Sequence, residues 1–310
     1  MKMVENEAAK ELSGVLIINK HAGVTSHTIV GIIRRLYGIK RVGHTGTLDP
    51  MATGVLPVLV GRAAKASDYV IAEDKTYIAE MQLGLTTDTE DITGAVLTRC
   101  GDIPSIDEVM DACAGFVGVI SQIPPMYSAL KVNGKKLVDL ARKGVEVERR
   151  PREITIRALD VEHVADDCYR LTVKCSKGTY IRTLCADIGQ KLGCGATLKS
   201  LCRPQTGMFG ISESISVAEI EAMTRDERIA LLNQTPVETI FAHMPEVILP
   251  EFFARLARNG AEIYQAKIGT DYPIETQVRL SDENGFFAVG EVREYPDGTA
   301  IKAMKLFELD

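Results

Sequence analysis

Residues 43 to 54 read GHTGTLDPMATG, and an apolar run, GVLPVLVG, follows over residues 54 to 61. The glycines and threonines around Asp49 are turn formers, so the segment reads as a tightly held loop that feeds a strand. Asp49-Pro50 marks a turn or a helix start, with the aspartate side chain held at a fixed angle. Two readings of that carboxylate stand side by side. Asp before Pro is a common N-cap that satisfies free backbone N–H groups and nothing more. A carboxylate fixed in a rigid loop is also what a nucleophile requires.

Periodicity supplies the frame around this loop. GVLIINK (14–20) is a buried strand, and Ser26 to Tyr37 is a helix with Ile29, Ile32, Ile33 and Leu36 on one face, capped by Thr25 or Ser26. Pro57 limits GVLPVLVG to an edge or bulged position, and residues 62 to 73 read as a helix. KTYIAEMQLG alternates from Lys75, which puts Tyr77, Ala79, Met81 and Leu83 on one strand face. TTDTEDITG (86–94) is acidic and turn-rich, an exposed loop well away from any phosphate. Ser105 with Glu108 forms a capping box that starts a helix to about Ala114.

In the second half, Pro124-Pro125 make an extended entry, Asn133-Gly134 a tight turn, and Lys135 to Lys143 a basic helix. ITIRALDVEHV (154–164) and CYRLTVKC (168–175) alternate as a strand pair turning at Asp166-Asp167. Gly178 ends the strand, and Tyr180 to Leu192 is a helix whose apolar face holds Ile181, Leu184, Cys185 and Ile188. Arg182 stands at its N-terminus, unfavourably placed against the helix dipole, so a carboxylate partner is expected there. Helical segments over 217–233 and a proline-containing linker over 236–250 come next. The chain ends in a helix (Glu251 to Arg258) and short strands at 277–281, 286–293 and 300–306.

The run GHTGTLDPMATGVLPVLVGRAAKAS (43–67), the K-x-Y of Lys75 and Tyr77, the segment QIPPMYSALKVNGKKLVDLARKG (122–144) and CSKGTYIRTLCADIGQKLGCGATLKSLCR (175–203) together resemble the bacterial TruB family of tRNA pseudouridine synthases. With Lys20 after the first strand, five separated motifs in order carry the resemblance over nearly all of residues 14 to 206. One departure stands out: the family's lysine-proline pair after the first strand is Lys20-His21 here.

The resemblance implies an α+β fold, with a central mixed, largely antiparallel sheet flanked by helices and a small C-terminal PUA-like β-barrel. It divides the chain into a flexible tail (1–13), a catalytic domain (14–245) with a basic RNA-gripping arm at about 122–152, and an RNA-binding module (246–310). It makes Asp49 the catalytic aspartate, paired with Arg182, and Tyr77 the aromatic that stacks on uracil. By the same resemblance His44 contacts the substrate loop, Tyr180 and Leu201 line the uridine pocket with Tyr77, and Lys20 is a pocket or structural partner. The expected reaction is isomerisation of the T-loop uridine at tRNA position 55, with no cofactor and no metal. The expected partner is the tRNA T-arm, with no guide RNA, no protein partner and no membrane, and the enzyme is expected as a cytoplasmic monomer.

Composition agrees with such a partner only when charge is taken as a distribution. The net charge of −6 speaks against RNA as an average, yet residues 20–49 carry five Lys or Arg against one acid, 131–152 eight against three, and 172–205 six against one. Basic charge collects where the motifs are, as phosphate contact requires. No apolar run approaches the roughly 20 residues of a membrane helix, and MKMVENEAAKEL is charged where a signal peptide is apolar. The seven cysteines are odd in number and lack C-x-x-C spacing, so they read as reduced thiols. Two other functions fit the residues. A non-catalytic RNA-binding protein would use the same basic surface, and a nucleosidase would use Asp49, although no second acid stands near it in sequence.

Overall fold

The computed structural model describes residues 12–132 and 134–307. Most of the expected tail (residues 1–11) and Asn133 of the expected turn lie outside the described residues.

The chain opens with β1 (Gly14–Lys20), passes through α1 (Ser26–Tyr37), and returns in β2 (Val42–His44) and β3 (Thr53–Val60). Thr25 caps α1 through its hydroxyl, and Gly38, at φ 67°, closes it in the left-handed region. A 3-10 segment (Gly61–Ala66) and α2 (Ser67–Ala72) take the place of one continuous helix, and β4 (Lys75–Leu83) follows. A hairpin of β5 (Leu85–Thr87) and β6 (Val96–Arg99) leads to α3 (Ile106–Ala114), which both bonds of the Ser105–Glu108 capping box start as expected. Then come β7 (Gly118–Gln122), β8 (Lys131–Val132), β9 (Lys135–Lys136) and α4 (Leu137–Ala141). The long pair β10 (Arg152–Ala165) and β11 (Cys168–Cys175) precedes α5 (Ile181–Leu192) and β12 (Ala196–Thr206). Short β13 (Phe209–Gly210) and β14 (Ile215–Ser216), with α6 (Val217–Ala222) and α7 (Arg225–Gln234), complete this part.

Among the described residues ten strands form one mixed sheet, in the order β14-β1-β3-β12-β4-β11-β10-β7, with β2 added on β3 and β13 on β12. Only the β1–β14 and β3–β12 contacts are parallel, so the sheet is largely antiparallel, as expected. Alternation in β1 and β3 explains why both read as unbroken apolar runs. Leu16, Ile18, Leu56 and Val58 face the main core beneath α1 and α5, while Val15, Ile17, Val55 and Leu59 face a second core behind the sheet. A strand buried on both faces has no polar side.

The remaining chain forms β15 (Glu246–Ile248), α8 (Glu251–Arg258), β16 (Glu262–Tyr264), α9 (Gln265–Ile268), β17 (Gln277–Asp282), β18 (Gly285–Tyr295) and β19 (Gly298–Leu306). Its five strands curl in the order β15-β17-β18-β19-β16, the PUA-like sheet expected here. Val289 and Phe307 of this sheet join the second core, so the small sheet is docked on the back of the large one.

Four local expectations change. Pro57 lies inside the sheet, opposite Ile17 of β1. Its carbonyl accepts from the Thr45 N–H at 3.1 Å, so its missing N–H faces the same side, in the gap where β2 has ended and β12 has yet to pair. The expected basic helix shrinks to α4, which holds no Lys or Arg: Lys135 and Lys136 lie in the β8–β9 hairpin before it, and Arg142 and Lys143 come after its end. Residues 236–250 are no linker: Ile240, Phe241 and Met244 are buried in the second core, with the Phe241 ring 4.9 Å from Tyr69 and 5.2 Å from Phe307. The 86–94 loop is held against α5 rather than standing free. Asp91 is 6% exposed, accepting from the Thr89 and Thr93 hydroxyls and the Thr93 N–H, and the Glu90 carboxylate accepts from the Thr183 hydroxyl.

Candidate active site

The loop between β2 and β3 is pinned from below before any catalytic question arises. Asp49 C=O accepts from the Ala52 N–H at 3.0 Å, so Asp49-Pro50-Met51-Ala52 is a β-turn with proline at its second position, not a helix start. Ser26, the first residue of α1, accepts from the Leu48 N–H at 2.9 Å and donates to the Leu48 carbonyl at 3.2 Å. Leu48 and Ala52 are buried, which leaves Asp49 on the turn's open side.

Lys20, wholly buried at the end of β1, donates to the carbonyls of His21, Val24 and Pro50. All three ammonium hydrogens are used on backbone, so Lys20 is a strut under the turn rather than a group facing a ligand. Burial pushes its pKa down to about 8, with nearby Asp49 opposing the fall and Arg203 adding to it.

Arg182 meets this turn from α5. Its Nε donates to Asp49 Oδ2 at 2.9 Å and its Nη2 to Oδ1 at 3.2 Å, a two-pronged pair that fixes the plane of the carboxylate. The same guanidinium donates to the Thr89 carbonyl at 3.0 Å and the Tyr127 carbonyl at 2.8 Å. Three separate segments converge on one cation. Arg182 is 4% exposed while Asp49 keeps 31%, so the carboxylate has an open face and its partner has none. The N-cap reading of Asp49 therefore falls away, since its oxygens are spent on Arg182 and on space.

Tyr77 points from β4 toward the same place. Burial, the largest influence, raises the pKa of its phenol, with the charge of nearby Arg203 opposing the rise and that of Asp49 adding to it. Tyr180, the N-cap of α5, has its N–H and carbonyl gripped by the side-chain amide of Gln122, at 2.8 and 3.0 Å. Its phenol is raised by burial and lies within reach of the Arg182 and Asp49 charges. Leu201 on β12 is opposite Ala79 of β4 and belongs to the main core. His44 ends β2 with Nδ1 buried and unpartnered among the described residues; burial first, then Arg203 and His27, lower its pKa, which keeps the ring neutral at pH 7.

The expected residues are thus gathered at one end of β3, β4 and β12, with Lys20 beneath. Sequence reasoning missed Ser26, Thr89, Gln122, Tyr127 and Arg203. Backbone carbonyls carry no sequence signal at all, but Arg203 had one: it is a cation in an otherwise buried stretch of strand. Among the described residues no group of three or more His, Cys, Asp or Glu side chains could hold a metal ion. All seven cysteines are free, five of them buried.

A model of the TruB family pseudouridylate synthase N-terminal domain matches residues 34–181, and one of the tRNA pseudouridylate synthase B C-terminal domain matches residues 182–250. The tRNA pseudouridine synthase B of Alkaliphilus oremlandii is 42% identical over 298 residues, spanning 95% of this chain and 98% of that protein. The chain belongs to the TruB family. Another TruB protein, from Aromatoleum aromaticum, is 41% identical over 90% of this chain and 89% of its own length. Among solved structures, a chain of a Cbf5-Nop10-Gar1 complex superposes with a TM-score of 0.72 at 25% identity, covering 96% of this chain and 85% of its own. A chain of an H/ACA RNP bound to a substrate RNA matches equally well at 23% identity, and so shares the fold. The N-terminal match runs through the Asp49 turn, Thr89 and Tyr127, the segments that the Arg182 guanidinium ties together.

Proposed function

We propose that this chain, a tRNA pseudouridine synthase, isomerises the T-loop uridine at tRNA position 55, with Asp49 as its nucleophile. The observation that carries the reading is the Asp49–Arg182 pair, an anion oriented at both oxygens and open on one face. Uridine to pseudouridine needs no outside atom. The bond from ribose C1′ to N1 breaks, the uracil turns, C1′ joins C5, C5 loses a proton and N1 gains one. Asp49 attacks either C1′ or C6 of the base, and both routes use a charged carboxylate held at a set angle. Arg182 supplies that charge balance and angle. Tyr77 and Tyr180 flank a uracil turned out of the RNA loop, at a cost of a few kcal/mol in lost stacking. Leu201 gives the pocket an apolar wall, and neutral His44 packs on a neighbouring loop base.

In this reading the exposed Lys131, Lys135, Lys136, Arg142, Lys143, Arg150 and Arg152 form an arm along the T-arm phosphates. Residues 14–245 act as the catalytic domain and 246–310 as an RNA-contacting module. The enzyme works as a cytoplasmic monomer without guide RNA, cofactor or metal. Among the described residues no helix is long and apolar enough to cross a membrane.

The test is incubation with an unmodified T-arm stem-loop, followed by base-specific chemical mapping. Pseudouridine at the T-loop uridine, lost in Asp49→Asn while RNA binding persists, supports the reading. Free uracil would instead indicate a nucleosidase, and binding without product an RNA-binding protein.

A further inference from the structure

Arg203 is 1% exposed and among the bulkiest of the fully buried side chains. Among the described residues no carboxylate pairs with it, and its charged neighbours are buried Lys20 and Lys75, both of which its charge pushes downward in pKa. A guanidinium buried without a counter-ion is costly, and an apolar side chain would fill the same strand position more cheaply. Two of its donors are nevertheless directed at the reaction centre's frame. Nε donates to the Val55 carbonyl at 2.9 Å and Nη2 to the Gly46 carbonyl at 3.1 Å, on either side of the Asp49 turn. Tyr77 of β4 lies across the seam from this stretch of β12, between the Ile78–Cys202 and Thr76–Gln205 partners, and its phenol feels the Arg203 charge.

The backbone is bent to allow this. Pairing of β12 with β4 slips between Cys202 and Gln205, and at that bulge Arg203 moves over to pair with Gly54 of β3. A Cβ on Gly54 would sit 2.4 Å from the Arg203 carbonyl oxygen, and the Gly54 φ is +102°, so only glycine admits the approach. The Gly46 Cα, at φ +105°, has the Arg203 Nη1 beside it in the same way, 3.6 Å from where a Cβ would be.

We infer that Arg203 is a positioning residue for the isomerisation, holding both flanks of the Asp49 turn in register with Tyr77 across the β12–β4 seam. The inference rests on the reading of Asp49 and Tyr77 as the reacting pair. Tyr77 stands on β4 and Asp49 on the turn before β3; Arg203, at the seam of β12 with both strands, is what gives them a common reference. A group acting this way sets the rate of the chemical step more than the hold on RNA.

The experiment measures kcat and KM on the T-arm stem-loop for Arg203→Met, Arg203→Lys, Tyr77→Phe and the Arg203→Met/Tyr77→Phe pair, with Asp49→Asn alongside. Arg203→Met lowers kcat by about ten- to a hundred-fold, the loss expected for charge-assisted hydrogen bonds, with KM within about three-fold. Arg203→Lys, which keeps the charge but not the fork, falls between the two, and it carries the comparison if the Met variant does not fold. In the Tyr77→Phe background the further Arg203→Met change costs far less than it does alone. Wild-type kcat in Arg203→Met, a loss lying wholly in KM, or an equal loss in both backgrounds overturns the inference. Pseudouridine formation by Asp49→Asn would overturn the underlying reading instead, whatever Arg203 does.

Discussion

Arg182 and Asp49, 133 residues apart, meet through two hydrogen bonds of 2.9 and 3.2 Å, and the arginine is the buried partner of the two. That asymmetry fixes what substitution does. Arg182→Lys keeps the charge but cannot serve both carboxylate oxygens and the Thr89 and Tyr127 carbonyls. The change should cost about 2–4 kcal/mol in transition-state stabilisation, below the full penalty for a wholly buried pair because Asp49 is part-exposed. The expected result is a kcat lower by about 10²–10³-fold with RNA affinity little changed. Single-turnover kinetics on a T-arm stem-loop measures it; a rate within a few-fold of wild type would count against the orienting role.

Ser26 holds Leu48 at both its N–H and its carbonyl, one residue before Asp49. Ser26→Ala leaves a buried backbone N–H without its partner, at about 1–3 kcal/mol. The loss should appear as a lower kcat together with a modestly lower urea midpoint, since the turn carries the proposed nucleophile. An unchanged kcat would mean that the turn keeps its shape without the serine.

Lys75 is pushed down to about 8 by burial, with Arg203 adding to the fall, from the usual lysine value of 10.5. Between those two pH values the unfolded chain binds the proton that the folded chain has released, so stability should rise with pH across that window. Below about pH 8 both states are protonated and Lys75 contributes no slope. Lys75→Met should remove its share of the rise, seen by comparing urea unfolding of the two proteins at pH 7.5, 8.5 and 9.5, a series chosen to bracket the window at about one-unit steps. Identical slopes would refute the assignment.

Phe241 packs against Tyr69, Phe286 and Phe307, which joins the curled sheet to the back of β1 and β3. Phe241→Ala should destabilise by about 3–5 kcal/mol through the cavity it leaves. Urea unfolding with circular dichroism reports the loss, and an effect below about 1 kcal/mol, the size of an ordinary surface change, would show that the two sheets are not coupled here.

Local chemistry made much of this molecule legible from its residues. Alternation marked β4, β10 and β11, an S-x-x-E box marked α3, and an apolar stripe marked α5. The unfavourable place of Arg182 at a helix N-terminus even called for a carboxylate. These signals are short-range, set by side-chain period, cap and turn, and so a linear chain can carry them.

What the chain alone could not decide were the contacts that close loops across long separations. Pro57 suggested an edge strand because the missing N–H is a local fact, whereas the gap between β2 and β12 that makes it harmless is a matter of sheet order. The acidic 86–94 loop was read as free surface, yet its Thr89 carbonyl completes the shell of Arg182; a carbonyl is present on every residue and so marks none. Residues 236–250 looked like a linker because Phe241 and Met244 are isolated in sequence, and only the second core behind the sheet gives them a place. The sequence by itself determined most of the elements and singled out Asp49 as the candidate. Tertiary structure alone decided that Asp49 has one open face, because Arg182 holds both its oxygens from α5 while Ser26, Lys20 and Arg203 hold the backbone on either side of it.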